Sequence, residues 1–191
     1  MNTATLHIKN MVCQRCIIAV ENILQDEEIP FQEVSIGEIQ LSELLNEQEK
    51  DRIIAKLSVI GLEIIENHAG GLVEKIKYLV MKRVRNEVPE IDKKIKLSNY
   101  LSEKVNHEYT YISSLFSSVE GRTIENYQIA QRIEKAKELL TYGQLTLSQI
   151  AFELEYSSVA HLSNQFKKIA YVTPTYYKEH NFSSRLSIDK I

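Results

Sequence analysis

The stretch 109–127, YTYISSLFSSVEGRTIENY, recurs fifty residues later at 159–177 as VAHLSNQFKKIAYVTPTYY. Ser113, Phe116, Thr123 and Tyr127 return as Ser163, Phe166, Thr173 and Tyr177, while Leu115 and Val119 face Gln165 and Ile169. Upstream the offset falls to forty-nine, pairing Leu101, Ser102 and Val105 with Ile150, Ala151 and Leu154, so one residue is inserted between the two helices of the second copy. Each copy reads as a short helix, a tight turn and a second helix. That is the outline of a helix-turn-helix, whose second helix enters the major groove of DNA.

In the second copy Leu162, Phe166 and Ile169 form an i, i+4, i+7 apolar stripe that must face a core. The opposite face then carries Ala160, Ser163, Asn164 and Lys167. Asn can pair with adenine through two hydrogen bonds, Ser can donate or accept, and an Ala methyl can pack on a thymine methyl. Lys167 and Lys168 suit phosphate, and Ser157 and Ser158 lie where an N-cap belongs, able to hold a phosphate oxygen at the helix start. The same construction on the first copy buries Ile112, Leu115, Phe116 and Val119 and exposes Thr110, Ser113, Ser114 and Ser117. Four hydroxyls and no cation make a weak groove reader. Any one of these segments alone reads more plainly as an amphipathic core helix; the repeat and its turn spacing decide for the helix-turn-helix.

The segment 124–140 joins the copies as a connecting helix that would fix their spacing, and Asn106 supplies a turn residue tolerant of the left-handed conformation. Before the repeat, Ile91 to Val105 places Ile95, Leu97, Leu101 and Val105 on its apolar positions. Further upstream, Leu72, Ile76, Leu79, Val80, Met81 and Val84 keep helical spacing until Pro89. This linker helix carries Lys75, Lys77, Lys82, Arg83 and Arg85, and Gly70-Gly71 is expected to mark the boundary before it.

The remaining N-terminal part alternates differently. Ala4–Lys9 reads as a strand, Cys16–Leu24 as a helix, Phe31–Leu41 as one or two strands broken near Gly37, Glu47–Ile60 as a second helix stopped by Gly61, and Leu62–Ile65 as a last strand. The order is that of a small α+β, ferredoxin-like sandwich. The expected layout is therefore 1–69 as this domain, 70–89 as a basic linker helix, and 90–191 as an all-α domain holding two helix-turn-helix units on one connecting helix.

The net charge of −3 hides a division along the 191 residues. Residues 1–69 carry 5 Lys and Arg against 12 Asp and Glu, residues 70–96 carry 8 against 4, and residues 97–191 carry 10 against 10. The repeat half is thus no polyelectrolyte clamp, and DNA affinity must come from a few placed cations and from geometry. No catalytic constellation points to an enzyme: there is no phosphate loop and no paired acid and base around a nucleophile. The longest apolar run, Cys16 to Val20, falls far short of the ~20 residues that span a bilayer. Two cysteines give no disulfide framework, so a cytosolic location is expected.

Those cysteines lie in Met11-Val-Cys13-Gln-Arg-Cys16, between the first strand and the first helix. The helix dipole and Arg15 are expected to lower the thiol pKa and favour thiolate. Two thiolates suit Cu(I), or half of a tetrahedral Zn(II) site, although no cofactor is required by anything in the sequence. A pair of structural thiols is the competing reading, and His68, just past the last expected strand, could approach the loop.

At these residues two resemblances become specific. The run from Ile124 to Leu140, then Leu147-Ser-Gln-Ile-Ala-Phe-Glu-Leu154, Ser157-Ser158, Phe166-Lys-Lys168 and Thr173-Pro174, resembles the DNA-binding domain of the AraC/XylS family of bacterial transcription regulators over roughly residues 90–180. The resemblance implies two helix-turn-helix units reading successive major grooves of double-stranded DNA, with RNA polymerase as a further partner. Carried onto this chain, it implies Thr110, Ser113 and Ser114 as readers in the first copy and Val159, Ala160, Ser163 and Asn164 in the second. This chain departs from the family pattern in having Glu155 and Tyr171 where glycines are usual, so those turns are expected to take another geometry, and Ser117 in place of a basic residue. The Met-x-Cys-x-x-Cys loop resembles that of heavy-metal-associated domains, with Asn10 replacing their usual glycine. Together these imply a cytoplasmic bacterial transcription regulator responsive to a soft metal, the alternative being a metal-trafficking or redox adaptor whose helix-turn-helix half binds protein.

Overall fold

The computed structural model describes residues 4–65 and 68–180, with only the backbone at His68. It forms two compact units, one from Met1–Leu79 with Lys94–Gly121 and the other from Val80–Lys93 with Arg122–Ile191.

In the first unit the described residues run β1 (Ala4–Lys9), α1 (Gln14–Asp26), β2 (Phe31–Ser35), β3 (Glu38–Leu41), α2 (Glu47–Val59) and β4 (Glu63–Ile65). The sheet order is β2-β3-β1-β4, and every neighbouring pair is antiparallel. Ser35 pairs with Glu38, leaving a two-residue turn whose second member, Gly37, has φ +79°. Such tight hairpin turns need positive φ, which glycine adopts without a Cβ clash. Helix α1 contributes Val20 and Leu24, and α2 contributes Ile53 and Leu57, to one core with Ile8, Val34, Ile39 and Leu41 of the strands. Asn46 and Glu49 close a reciprocal capping box at the start of α2, a device worth about 1 kcal/mol.

Helix α3 (His68–Val84) runs through Gly70 and Gly71 instead of starting after them. Each glycine inside a helix costs about 1 kcal/mol relative to alanine, so a compensating contact is needed. It is the ring of His7, so close that a Cβ built on Gly71 would lie 2.3 Å from Nδ1. The glycine pair therefore lies inside α3, at a close approach between helix and sheet, and not ahead of the helix. The same unit holds α5 (Leu97–Val105) and α6 (Tyr109–Glu120), which bury Tyr100, Leu101, Val105, Ile112 and Phe116. Val119, expected in the core, is 51% exposed although it keeps the helical period, because it stands in the last turn of α6.

The second unit is helical. Helix α4 (Glu90–Lys94) is short and separate from α5, and α7 (Ile124–Tyr142), α8 (Leu147–Glu153), α9 (Val159–Ala170) and α10 (Pro174–Glu179) follow. Ile133, Ala136 and Leu140 of α7, Ile150 and Ala151 of α8, Leu162 and Phe166 of α9, and Tyr177 of α10 share one core. The Phe166 and Tyr177 rings meet edge-on at 5.5 Å. Charge is also buried on α7: Glu134 pairs with Lys137, while Glu138 pairs with Lys135 and with Arg85 at the end of the α3 segment. Burial of these carboxylates is tolerable because each has a cation beside it. No helix among the described residues is long and apolar enough to cross a membrane.

Candidate nucleic-acid interface

Both copies of the repeat build the same turn. After α5, Asn106 takes the left-handed conformation at φ 54°, and the His107 amide donates to Ser102 O at 3.2 Å. After α8, Glu155 takes φ 58°, and the Tyr156 amide donates to Ala151 O at 2.8 Å. Donor and acceptor are offset by forty-nine in each case, the offset of the sequence repeat. The expectation that Glu155 would force another geometry is overturned. A left-handed non-glycine residue costs on the order of 1 kcal/mol, and here Arg132 Nη2 reaches Glu155 Oε2 at 2.6 Å to help hold the turn.

The helices that follow are both twelve residues long and bury equivalent pairs, Ile112 with Phe116 and Leu162 with Phe166. Both end in left-handed residues, Gly121 at φ 68° and Tyr171 at φ 61°. Tyr171 thus keeps the geometry that its missing glycine was expected to lose, through its amide bond to Lys167 O at 3.0 Å. The next helices open on Thr123 and Thr173, each accepting from the amide three residues ahead.

The copies differ in what they present. Helix α9 starts at Ser158, whose hydroxyl accepts from the His161 amide at 3.1 Å. Accepting there leaves its O–H proton free to donate to a phosphate oxygen. Ala160, Asn164, Lys167 and Lys168 are exposed, and Val159 and Ser163 half-buried. Positions 160, 164 and 167 follow the i, i+4, i+7 spacing of one helix face. Helix α9 carries two lysines and no acid.

Helix α6 has no side-chain cap at Glu108, and its one charged residue is Glu120. Thr110 and Ser114 are exposed and Ser113 half-buried. Three of its hydroxyls turn inward: Ser113 Oγ donates to Thr110 O, Ser117 Oγ to Ser113 O and Ser118 Oγ to Leu115 O. A hydroxyl whose proton is spent on its own helix can only accept from a base edge.

Sequence reasoning missed His161. It stands exposed in the first turn of α9, its Nδ1 3.0 Å from Ser157 Oγ and its ring edge-on to Tyr156 at 5.1 Å. The Ser157–His161 spacing of four was the available signal. Burial pushes the Tyr156 hydroxyl up to about 12, with the Arg132 guanidinium opposing it in part.

At the other end of the chain, Cys13 is the N-cap of α1 and Cys16 lies in its first turn, with Sγ atoms 3.7 Å apart. The Cys16 thiol is raised above its ordinary value, chiefly by burial, with backbone amides around Val12 and Cys13 opposing. The expected lowering does not hold for Cys16 because desolvation outweighs the helix start. Among the described residues no group of three or more His, Cys, Asp or Glu is gathered as a metal would need. The side chain of His68 lies outside the described residues. The loop is tied to α3, where the Asn10 amide donates to buried Glu74 at 2.9 Å. Glu74 accepts from Lys77 at 3.0 Å, and Lys77 also pairs with Glu120 of α6 at 3.3 Å.

Against known proteins, residues 101–180 match the family described as helix-turn-helix domain. The chain is 32% identical over 78 residues to the Transposon Tn10 TetD protein of Escherichia coli, covering 41% of this chain and 56% of that protein. It is 33% identical over 78 residues to an uncharacterized HTH-type transcriptional regulator of Staphylococcus aureus strain MSSA476, covering 41% of this chain and 10% of that one. The chain therefore spans about half the length of the first relative and a tenth of the second. Among solved structures, the C-terminal domain of AraT, a response regulator from Geobacillus stearothermophilus, superposes with a TM-score of 0.50 at 21% identity, covering 63% of this chain and 94% of that one. Residues 101–180 are thus a helix-turn-helix domain, and the likeness to the AraT domain is one of fold.

Proposed function

We propose that this chain is a cytoplasmic bacterial transcription regulator that binds double-stranded DNA in a sequence-specific way and has no catalytic role. The observation that carries this reading is the twinned turn, with the same left-handed residue and the same amide bond in both copies. A motif preserved in backbone geometry while its surface residues diverge fits two readers of different base sequence. Helix α9 is the main reader, through Val159, Ala160, Ser163 and Asn164, with Ser157, Ser158, Lys167 and Lys168 on phosphate; Thr110, Ser113 and Ser114 of α6 contribute less. RNA polymerase is the further partner of such a regulator. The absence of acid on α9 favours this reading over the adaptor whose helical half binds protein.

The regulatory part of the proposal concerns residues 1–69, taken as a ferredoxin-like domain related to heavy-metal-associated domains, with 70–89 as the linker helix and 90–191 as the DNA-binding domain. The sheet order and its two helices support that reading. Cys13 and Cys16 would hold the metal. Two Zn–S bonds of about 2.3 Å at a tetrahedral angle place sulfurs about 3.8 Å apart, close to the 3.7 Å found. Two thiolates alone suit Cu(I), which accepts few soft ligands. The raised Cys16 thiol means that metal must displace a proton to bind. The line from Asn10 through Glu74 and Lys77 to Glu120 supports α3 as the element that carries the response.

The test is selection of bound sites from random duplex DNA with the whole chain. One enriched motif is expected; recovery of unenriched DNA at physiological salt would overturn the reading.

A further inference from the structure

We propose that a cleft in the first unit, walled by β1, the turn into β3, the first turns of α3 and the turn between α5 and α6, is a binding site for a small zwitterion of the α-amino-acid class. It encloses about 120 Å³. An apolar cavity of roughly 150 Å³ holds benzene, so the enclosed part of the occupant has on the order of five or six heavy atoms, about the size of alanine.

The lining dictates its charge. One acidic residue, Glu38, and one basic residue, Lys75, line the same small space, together with His7 and His107. A ligand with only a carboxylate would meet Lys75 but crowd Glu38, and one with only an amine would do the reverse. A molecule carrying both charges satisfies both walls. Ile36, Leu72 and Val105 form the apolar remainder, which suits a short aliphatic side chain.

The cleft is built, not incidental. His7 is 8% exposed, and its Nδ1 lies 3.9 Å from Glu38 Oε1, so one wall is braced from within the sheet. The missing side chain of Gly71 gives the His7 ring its place, for a Cβ there would sit 2.3 Å from Nδ1. His107 follows the left-handed Asn106 in the first helix-turn-helix, and its amide makes the bond that closes that turn. A ligand held against His107 therefore restrains the turn that sets α6. This consequence rests on the DNA-binding reading above, whereas occupancy of the cleft does not.

The experiment measures thermal unfolding of the whole chain with L-alanine, L-serine and L-valine, and with propionate and propylamine as single-charge controls. A rise in Tm with at least one amino acid, absent with both controls and lost in Lys75→Met and in Glu38→Gln, is expected. Variants that respond like the parent, controls that act as strongly, or no response to any amino acid would overturn the proposal. A second arm measures affinity for selected DNA with and without the responding amino acid, and a change of about five-fold or more is expected. Unchanged affinity would remove the link to α6 while leaving the site. Failure of the chain to bind DNA at all would instead count against the functional reading, with the Tm arm still deciding the cleft.

Discussion

Asn106 and Glu155 are the same turn residue in two copies of one motif, left-handed at φ 54° and 58° and forty-nine positions apart. Asparagine accepts that conformation through its short polar side chain; glutamate does not, and depends on surroundings such as Arg132. Glu155→Gly relieves backbone strain of about 1–2 kcal/mol and removes an ion pair in which Glu155 is half exposed, worth about 0–1 kcal/mol. The variant should gain about 0.5–1 kcal/mol in urea unfolding. A loss would show that the Arg132 contact outweighs the strain.

Gly71 should tolerate no side chain. Alanine normally improves a helix by about 1 kcal/mol over glycine, yet here its Cβ would meet the His7 ring at 2.3 Å. Gly71→Ala should therefore destabilise the chain by about 1–3 kcal/mol, and His7→Ala in the same chain should recover most of it. A double-mutant cycle on thermal or urea unfolding measures the coupling; additive effects would mean that the two positions do not meet.

These two sites show where the sequence was legible. The repeat could be read because its turns, caps and core positions are local, so one offset carries Thr123 to Thr173 and Phe116 to Phe166. The close packing at Gly71 was not legible because its partner, His7, lies sixty-four residues away, on a strand that no local pattern connects to it. Val119 followed the helical period but lies where α6 has little left to pack on. The Cys16 thiol was misjudged because a helix start can be read from sequence whereas desolvation cannot.

The thiol gives a pH prediction. Because burial raises the Cys16 pKa, the fold favours the neutral thiol. That contribution to stability is fully present below the ordinary thiol pKa and is lost as pH rises through the raised one. In Cys13→Ser, alkylation of Cys16 should be slow at neutral pH and should climb only above the ordinary thiol range. A rate already at its plateau near neutrality would contradict the burial argument.

Cu(I) competition against a chromogenic chelator tests the metal reading. One ion per chain is expected, lost in Cys13→Ser/Cys16→Ser with the far-UV circular dichroism unchanged. If metal acts through α3, loading should shift affinity for selected DNA by about five-fold or more, and Glu74→Gln should weaken that shift without removing the metal. Equal DNA affinity for loaded, metal-free and double-mutant protein would leave the cysteines as structural thiols.

The central claim is that α9 reads bases with Asn164 and grips the backbone with Lys167. The most direct measurement is the affinity of parent, Asn164→Ala and Lys167→Ala proteins for the selected site and each of its single base-pair variants, at one salt concentration. Asn164→Ala should lose about 1–3 kcal/mol on the selected site and become indifferent at one base pair, while Lys167→Ala should weaken every sequence alike. A uniform loss in Asn164→Ala, with the parent's preference intact at all positions, would contradict the account.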